Sequence, residues 1–470
     1  MKPSLLLLSL CALLGTSLLA AEKKSTTLPN IVVFISDDHG MLDSQPYGST
    51  EVRTPQMARL AADGLKFTHA FVASPACGPS RTALLTGLWS ARNGAEPNHK
   101  PKNSGVASLP PVLRALGYEV VALGKVAHNT YASGHGFDFT EGPNQGFSDT
   151  AAVAKYLATR DAAKPLCLFV GTRHPHVPWS AAAERTYDPA AVVIPPKHVD
   201  TPTTREQRAS YLTDVTKADT LLGEVRALVR EKIPGDTLFI YTADHGSQWP
   251  FGKWNLYDAS TRIPLLIAWP GHLQPGTVSD ALVCWPDLLP TFIDLAGGTV
   301  PAGLDGKSFA GILRGTATTH RDRVFTTHSG DGDFNVYPIR SVRTRDWKYL
   351  RNLHPEFQHH THISRSSGPS GNVYWQSWLA AAEKNPAAAA TLLRYTTRPA
   401  EELYDLAADP DELHNLAADP RQTPRLAGLR ADLDAWMKQQ GDTQTVFGKP
   451  LLQREPVTLI APGNAKKKSP

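Results

Sequence analysis

The chain has 470 residues, of which 41% are hydrophobic, 20% are charged and 8% are aromatic. This length fits one large domain with a smaller companion, and the composition excludes a largely disordered chain. Four cysteines exclude a disulfide-stapled scaffold, and a net charge of +4 excludes the strongly basic surface of a nucleic-acid-binding protein.

The N-terminal segment is typical of a secretory signal peptide. Lys2 precedes an apolar run over residues 5–21, which ends in the small residues Ala20 and Ala21. The run is shorter than the roughly 20 residues that span a bilayer, so cleavage is favoured over a membrane anchor. We therefore predict a signal peptide at 1–21, a periplasmic or secreted mature protein, and no stable membrane insertion.

Short apolar runs alternate with helical stretches over the first two thirds of the chain, which predicts a largely parallel α/β sheet. The predicted strands are residues 31–35, 118–123, 166–171 and 237–242. Polar residues follow these strands in turn: Asp37 and Asp38, Lys125 and His128, His174 and His176, and Asp244 and His245. Because ligands bind outside the carboxyl ends of the strands in such sheets, the four clusters predict one site.

Each cluster also has a plain structural interpretation, as a turn pair, a rigid loop or a loop that enters a helix. However, adjacent carboxylates without a counter-charge repel each other, and a divalent cation removes that repulsion. Asp37, Asp38 and Asp244 offer the oxygen ligands that Ca²⁺ or Mg²⁺ prefers, and His245 is a fourth candidate ligand. The sequence therefore predicts a metal site.

Residues 74–87 predict a helix with Cys77 at its N-terminus, because Pro79 suits the first turn and Gly87 suits the end. The free N–H groups and the dipole of that end favour an anion. Arg81 lies one turn further along the same face. A buried cysteine before a helix is a common alternative, and for Cys167 and Cys284 a place in the core is the interpretation we adopt.

The pattern Cys77-x-Pro79-x-Arg81 with Thr86-Gly87 after it resembles the signature of the type I sulfatases of the alkaline phosphatase superfamily. In that family the cysteine is oxidised to formylglycine before folding finishes, which implies a formylglycine-generating enzyme as a partner. The resemblance spans residues 30–442 and implies an alkaline-phosphatase-like sheet, one Ca²⁺ ion and a sulfated carbohydrate substrate. The resemblance implies calcium ligands at Asp37, Asp38, Asp244, His245 and the modified Cys77. It implies that Arg81 orients formylglycine and that Lys125 and Lys253 bind sulfate. It also implies that His128 and His176 flank the scissile bond.

Within this family, residues 251–257, 337–342, 402–406 and 409–416 are most similar to N-sulfoglucosamine sulfohydrolase and related bacterial exo-sulfatases. His174, His99 and Arg340 are the candidate substrate-binding residues. Two features depart from the family pattern. The usual Lys-x-His is here Lys125-x-x-His128, and residues 93–100 replace a His-rich stretch near the place where the sugar is recognised.

The predicted residues suit sulfate ester hydrolysis, because cations and a helix N-terminus neutralise the charge that develops on the sulfate oxygens. One hydroxyl of hydrated formylglycine attacks sulfur, and the other then expels sulfate. Two alternatives stay open: a phosphodiester or phosphonate monoester hydrolase of the same superfamily, and a non-catalytic polysaccharide-binding relative. The identity of the sugar, the sulfate position and the oligomeric state are not predicted.

The predicted domains are a large α/β domain over 22–329 and a smaller α+β domain over 330–450, followed by a tail over 451–470. The smaller domain is expected to use residues 338–351 as antiparallel strands and residues 425–440 as a packing helix. The histidine-containing segment 354–362 has three interpretations: a solvated loop, a loop that folds over the pocket, and a zinc site whose spacing matches no structural zinc pattern.

Overall fold

The computed structural model describes residues 28–129, 131–142, 147, 149–233, 235–367 and 372–461. The predicted signal peptide at 1–21 lies outside the described residues, as does the tail after residue 461. Within these described ranges, no helix combines the length and the apolar character that a membrane span requires.

One large sheet dominates the fold. Its strands are β1 (Asn30–Ser36), β2 (Leu65–Phe71), β3 (Glu119–Gly124), β4 (Phe139–Glu141), β5 (Leu166–Gly171), β6 (Thr237–Ala243), β7 (Arg262–Ala268), β8 (Thr277–Ser279) and β9 (Val283–Cys284). The spatial order is β4-β3-β5-β1-β6-β7-β2-β8, with β9 beside β2. The first five are parallel, whereas β7 runs antiparallel to β6 and β2, so the predicted mixed α/β sheet is confirmed.

The four predicted strands correspond to β1, β3, β5 and β6, with ends that differ by one residue or none. These strands are adjacent in the order β3-β5-β1-β6 and all run in the same direction. Their carboxyl ends therefore lie side by side at one edge of the sheet.

Helices connect the strands and cover the sheet. They are α1 (Pro55–Ala62), α2 (Cys77–Thr86), α3 (Ser90–Asn93), α4 (Leu109–Ala115), α5 (Ala132–His135), α6 (Ala151–Thr159), α7 (Pro202–Lys232), α8 (Asp258–Thr261), α9 (Leu288–Leu295), α10 (Ala310–Leu313), α11 (His362–Arg365), α12 (Asn372–Ala382), α13 (Pro386–Thr396) and α14 (Thr423–Gln440). Short 3₁₀ turns lie at Gln45–Tyr47, Ala182–Glu184, Trp285–Asp287 and Pro420–Gln422.

Alternate residues of β1 point into two different cores. Ile31 and Val33 join a core that includes residues of α2, α4 and α9, whereas Val32 and Phe34 join one that includes residues of α1, α6 and α7. A strand buried on both faces reads as an unbroken apolar run, which is why the sequence predicted β1 so closely. The sheet is the middle layer of three.

The connection from α1 to β2 depends on Gly64. A Cβ atom at this position would lie 2.1 Å from the carbonyl oxygen of Ile267 in β7. The chain therefore passes too close to the neighbouring strand for any larger residue, and α1 ends at Ala62. It begins at Pro55, which occupies its first turn.

A smaller antiparallel sheet follows, made of β10 (Val324–His328), β11 (Ile339–Arg343), β12 (Trp347–Asn352) and β13 (Glu401–Asp405) in that order. Helix α14 shares a core with this sheet, in which Leu433 of the helix and Tyr349 of β12 are both fully buried. The strands and the helix expected in this region are therefore present. Strand β10 precedes the boundary expected at residue 329, and the division into domains remains a prediction.

Candidate active site

The polar side chains that follow β1, β3, β5 and β6 meet at the carboxyl edge of the sheet. The backbone N–H of Asp38 donates to a carboxylate oxygen of Asp244 at 3.0 Å, which links the ends of β1 and β6. The N–H of Asp37 donates to the carbonyl of His174 at 3.1 Å, which links β1 to β5. Lys125, directly after β3, contacts the Asp37 carboxylate through its ammonium group.

Cys77 lies at the first position of α2, as expected, and faces this cluster. Its Sγ atom lies 3.5 Å from Nζ of Lys253, 3.5 Å from Nε2 of His245 and 3.7 Å from Nζ of Lys125. All ten residues of α2 are buried, and Cys77 itself is 2% exposed. The sulfur atom therefore lies in a water-poor pocket between two ammonium groups.

Three buried carboxylates face three buried cations around this sulfur. Arg81 bridges Asp37 and Asp244, at 2.9 Å from each, and Lys253 lies 2.9 Å from both carboxylate oxygens of Asp38. The guanidinium of Arg81 also donates to the carbonyl groups of Lys125 and Val126. Arg81 thus joins the ends of β1, β6 and β3 through carboxylates and carbonyl groups.

The turn after β1 adopts an unusual backbone conformation. Asp38 has a φ of 63°, in the left-handed region that aspartate tolerates better than most residues. Strained conformations of this kind are retained where surrounding contacts fix them, often at functional sites. Here the conformation sends the Asp38 carboxylate toward Lys253 while Asp37 points to Arg81 and Lys125.

The cluster shifts the pKa values of its members. Burial alone would raise the pKa of the Cys77 thiol, but the charges of Lys125 and Lys253 outweigh it and lower that pKa to about 7. Burial raises the pKa of Asp244 to about 7 in spite of Arg81. For Asp37 burial is likewise outweighed, by Lys125 and other cations, and its pKa falls well below the usual range.

Two overlapping groups of ligand atoms at this edge could hold a metal ion. One comprises Asp37, Asp38, Cys77 and His176, and the other comprises Asp38, Cys77, Asp244 and His245, with the ligand atoms of each group within 4.8 Å of one another. The three aspartates are fully buried, so their charges need close compensation. Three carboxylates fit a hard divalent cation, and this donor set supports the metal site that the sequence predicts.

His245 is held so that one ring nitrogen faces the carboxylates. Its Nδ1 lies 2.9 Å from the carbonyl of Gly246, while Nε2 lies 3.4 Å from Asp38 and 3.6 Å from Asp244. Burial works against protonation, but the two carboxylates raise the pKa of His245 to about 9. A metal ion that binds here must displace this proton.

His176 and His174 have different surroundings. Nδ1 of His176 lies 2.6 Å from the carbonyl of Val177, so it carries the proton and leaves Nε2 free, 3.8 Å from Asp38. The imidazole of His174 instead lies 3.7 Å from Asp214 in α7. The structure therefore brings the side chain of His176 to the cluster, whereas His174 contributes its backbone carbonyl.

A second wall of the site is built around Asp331, which sequence reasoning missed. Its carboxylate accepts from Nδ2 of Asn98 at 2.9 Å and from Nε1 of Trp254 at 2.6 Å, and lies 3.2 Å from Nε2 of His99. His99 in turn lies 2.7 Å from His128. The only sequence signal for Asp331 is its place in the loop 330–337, where nothing distinguishes it from an ordinary turn residue.

Arg340, the third candidate substrate-binding residue, has partners inside the protein. It is fully buried, forms an ion pair with Asp442 and donates to the carbonyls of His328 and Ile339. Its guanidinium is thus engaged within the protein and is not presented to a ligand. The sequence showed a conspicuous arginine in a strand but not the carboxylate that pairs with it 102 residues later.

The segment 354–362 folds inward. His359 and His360 are buried, and the ring of His362 stacks between Trp254, at a centroid distance of 4.9 Å, and Phe334, at 3.9 Å. Of the three interpretations, the loop that folds toward the pocket therefore agrees with these contacts. Among the described residues, the groups able to hold a metal ion lie around Cys77, and the segment forms no zinc site.

Comparison with known proteins agrees with this geometry. A sequence model of the sulfatase family matches residues 29–298, and one described as N-sulphoglucosamine sulphohydrolase, C-terminal, matches residues 243–359. The chain is 32% identical to an ulvan-active sulfatase from Formosa agariphila, over 93% of this chain and 86% of that protein. It is 29% identical to human N-sulphoglucosamine sulphohydrolase, over 88% of this chain and 90% of that protein.

Solved structures share the fold. A protein solved in complex with its substrate D-glucosamine-2-N,6-O-disulfate superposes with a TM-score of 0.68 at 19% identity, covering 89% of this chain and 99% of that one. At this level of identity the match establishes the common architecture.

Proposed function

The chain belongs to the sulfatase family and is a sulfuric ester hydrolase, and from that premise we propose that it removes sulfate from a sulfated carbohydrate, with Cys77 converted to formylglycine and Ca²⁺ as its metal. The observation that carries the proposal is the position of Cys77, at the start of α2 and within 3.7 Å of Lys125, Lys253 and His245. The names of its relatives support a sulfated sugar, and N- or O-linked sulfate fits equally.

The proposed metal ligands are Asp37, Asp38, Asp244 and His245, with residue 77 completing the set. Bound there, Ca²⁺ would supply positive charge next to the sulfate oxygens, where negative charge develops. Formylglycine would supply a hydrate with one hydroxyl for attack on sulfur and a second for the release of sulfate. The residues of the chain perform the binding and the proton transfers.

Lys125 and Lys253 are the proposed sulfate-binding groups. Their ammonium nitrogens lie 3.7 Å and 3.5 Å from the Cys77 sulfur, and both side chains are buried. Their charges therefore act on a bound sulfate with little screening by water. The dipole of α2 adds partial positive charge at its N-terminus, which favours an anion, while the N–H of Gly78 is engaged by Asn98 at 2.9 Å. Arg81 holds Asp37 and Asp244 in place and thereby orients the residues around position 77.

His176 and His128 are the proposed proton-transfer groups. A ring nitrogen of His176 lies within 4.8 Å of the Cys77 sulfur, and Nε2, which does not bond the Val177 carbonyl, suits a base for the attacking hydroxyl. His128 lies beyond Gly78, where a Cβ atom would be 3.6 Å from its ring, which suits an acid for the departing alcohol or amine. We further propose a cleaved signal peptide and a periplasmic or secreted location, with a formylglycine-generating enzyme acting during maturation.

The proposal is tested by sulfate release from a defined panel. It contains glucosamine carrying N-, 2-O- or 6-O-sulfate, sulfated uronate oligosaccharides, ulvan oligosaccharides, a phosphodiester and a phosphonate monoester. We expect sulfate from at least one sugar, with loss of activity in Cys77→Ser and retention in Cys167→Ala, which alters a core cysteine. Rapid turnover of the phosphorus esters without sulfate release would favour the alternative hydrolase.

Mass spectrometry of the peptide that contains residue 77 tests the modification separately. We expect an aldehyde at this position in active protein. Fully active protein with an unmodified Cys77 thiol would contradict the formylglycine proposal but not the sulfatase activity.

A further inference from the structure

The two ring nitrogens of His128 have unequal surroundings. Nε2 lies 2.7 Å from Nδ1 of His99, which makes a short hydrogen bond between two imidazoles. Nδ1 is buried and has no hydrogen-bond partner among the residues that the structure describes. A buried polar atom without a partner is costly, and the His128 ring lies against Gly78, the neighbour of Cys77, so the unpartnered nitrogen indicates a group available to a ligand.

His99 is fixed at its other nitrogen by Asp331. Nε2 of His99 lies 3.2 Å from Oδ1 of Asp331, and Oδ2 of the same carboxylate is occupied by Trp254 and Asn98. Asp331 is 2% exposed, whereas the side chain of His99 is 49% exposed. The series thus runs from a buried carboxylate, through an imidazole in contact with solvent, to a buried imidazole.

Two protonation states satisfy the hydrogen bonds between Asp331, His99 and His128, and the amide Nδ2 of Asn129, 3.1 Å from Nδ1 of His99, is a donor that suits the first of them. Without an extra proton, His99 donates through Nε2 to Asp331 and accepts through Nδ1 from Nε2–H of His128, so Nδ1 of His128 is bare. With one extra proton, His99 donates at both nitrogens, so Nε2 of His128 accepts and Nδ1 of His128 carries a hydrogen. Only the protonated state presents a donor at the free nitrogen.

We propose that Asp331, His99 and His128 form a proton relay that delivers the leaving group's proton through Nδ1 of His128. The inference rests on the proposed function, in which His128 is the acid. As the bond from sulfur to the sugar oxygen or nitrogen breaks, the Nδ1 proton of His128 moves to the leaving atom. The proton between the rings then moves from His99 to Nε2 of His128, and both imidazoles end neutral. His128 is the catalytic residue, and His99 and Asp331 are positioning residues.

The charges around the pair agree with this assignment. Burial opposes protonation of His99, but Asp331 raises its pKa, whereas burial together with His99 and Lys125 holds the pKa of His128 well below its usual range. His128 by itself is therefore a poor proton donor at neutral pH, and His99 supplies the stored proton. The charged or titratable groups that face the pair are Asp331, His362, Lys125, Lys253, Arg81, Cys77 and Tyr131.

In Lys125-x-x-His128 the histidine comes one residue later than in the family pattern, and its imidazole contacts His99 at 2.7 Å. His99 itself has a φ of 64° and its carbonyl accepts from the hydroxyl of Tyr131 at 2.5 Å, so its backbone is held as well.

The test compares two leaving groups in protein matured to formylglycine. The first substrate is whichever sulfated sugar of the panel releases most sulfate, because its leaving group needs a proton. The second is 4-nitrophenyl sulfate, whose phenolate leaves without one. We expect Asp331→Asn and His99→Gln to lower kcat on the sugar by on the order of 10²-fold and to leave kcat on the aryl sulfate within about threefold, with KM little changed.

The pH profile gives a second measure. The active state carries the extra proton, so activity falls as the pH rises above the pKa of the pair. Because Asp331 raises that pKa, Asp331→Asn should move the alkaline limb of kcat/KM on the sugar to lower pH by at least about one unit. Tyr131→Phe is the matched control: it removes the hydroxyl that bonds the His99 carbonyl but no group of the relay, so the alkaline limb should stay where it is in the parent.

A histidine ring titration by NMR, on protein that still carries Cys77, needs no catalysis. Assigned by difference from His99→Gln, the His99 signal should titrate at lower pH in Asp331→Asn than in the parent. Equal losses on both substrates, an unmoved alkaline limb or an unshifted His99 titration would overturn the relay. A parent protein that releases no sulfate from either substrate would overturn the proposed function, and the relay with it.

Discussion

The Nζ atom of Lys253 lies 2.9 Å from both carboxylate oxygens of Asp38. Both side chains are almost completely shielded from water, Asp38 at 0% and Lys253 at 2% exposure. The two charges therefore compensate each other in a medium of low dielectric, and neither is stable there alone. Removing either member of the pair should therefore destabilise the fold.

Replacing Lys253 with Met should leave Asp38 as a buried anion without its cation. We expect a loss of about 3–5 kcal/mol in the free energy of unfolding in the presence of EDTA. Added Ca²⁺ should recover part of that loss, since a ligand that binds only the folded state stabilises it. Thermal unfolding with and without Ca²⁺ measures both effects. Lys155→Met, on the exposed face of α6, is the control and should change neither.

The thiol of Cys77 should be reactive near neutral pH in protein that has not been converted. Its pKa is lowered to about 7, so the thiolate fraction rises through pH 7 as the pH increases. Alkylation by iodoacetamide in the presence of a chelator should follow this midpoint. Burial raises the pKa of Cys167 and Cys284, and these two should stay unlabelled in the same sample. A Cys77 midpoint above pH 9 would contradict the electrostatic role of Lys125 and Lys253.

Affinity for Ca²⁺ should weaken as the pH falls. Asp244 and His245 have pKa values of about 7 and about 9 in the metal-free protein, and both must lose a proton to act as ligands. Isothermal titration in buffers of different ionisation enthalpy should show protons released between pH 7 and 9. His245→Asn offers an amide oxygen that does not titrate, so it should bind Ca²⁺ with less proton release. Equal release by both proteins would exclude His245 as the source.

Arg340 should matter for stability and not for substrate affinity. Arg340→Met leaves Asp442, itself 1% exposed, without its partner, so we expect a loss of about 3–5 kcal/mol. The double variant with Asp442→Leu removes both charges and should recover much of that loss. KM for the sugar, measured on folded protein, should be unchanged in both. An increase in KM in the double variant would show that Arg340 contributes to substrate binding.

The sequence predicted the sheet and most of the site because both depend on local patterns. β5, for example, is an apolar run buried at every position, and its observed bounds equal the predicted ones. The rule that ligands bind at the carboxyl ends of parallel strands then placed Asp37, Lys125 and Asp244 together without any knowledge of the contacts. What the strand order adds is that these ends are immediate neighbours.

The features that could not be predicted depend on contacts between distant parts of the chain. Asp331 meets Asn98 across 233 residues, and nothing in the composition of either loop indicates the pairing. The partner of Arg340 was not predicted for the same reason, because Asp442 reaches it from the chain that follows α14. A side chain that contacts the site only through another residue belongs to no sequence motif, so its spacing along the chain does not reveal it.

The complete burial of α2 has a consequence for the time at which the protein can be made active. Every residue of this helix is enclosed by the folded chain, so the proposed formylglycine-generating enzyme would have to reach Cys77 before α2 docks against the sheet. Under the proposed function, maturation and folding would compete for the same segment, and a molecule that folds first would keep its unmodified thiol. Conditions that speed folding without raising the supply of the modifying enzyme should lower the active fraction of an otherwise well-folded population.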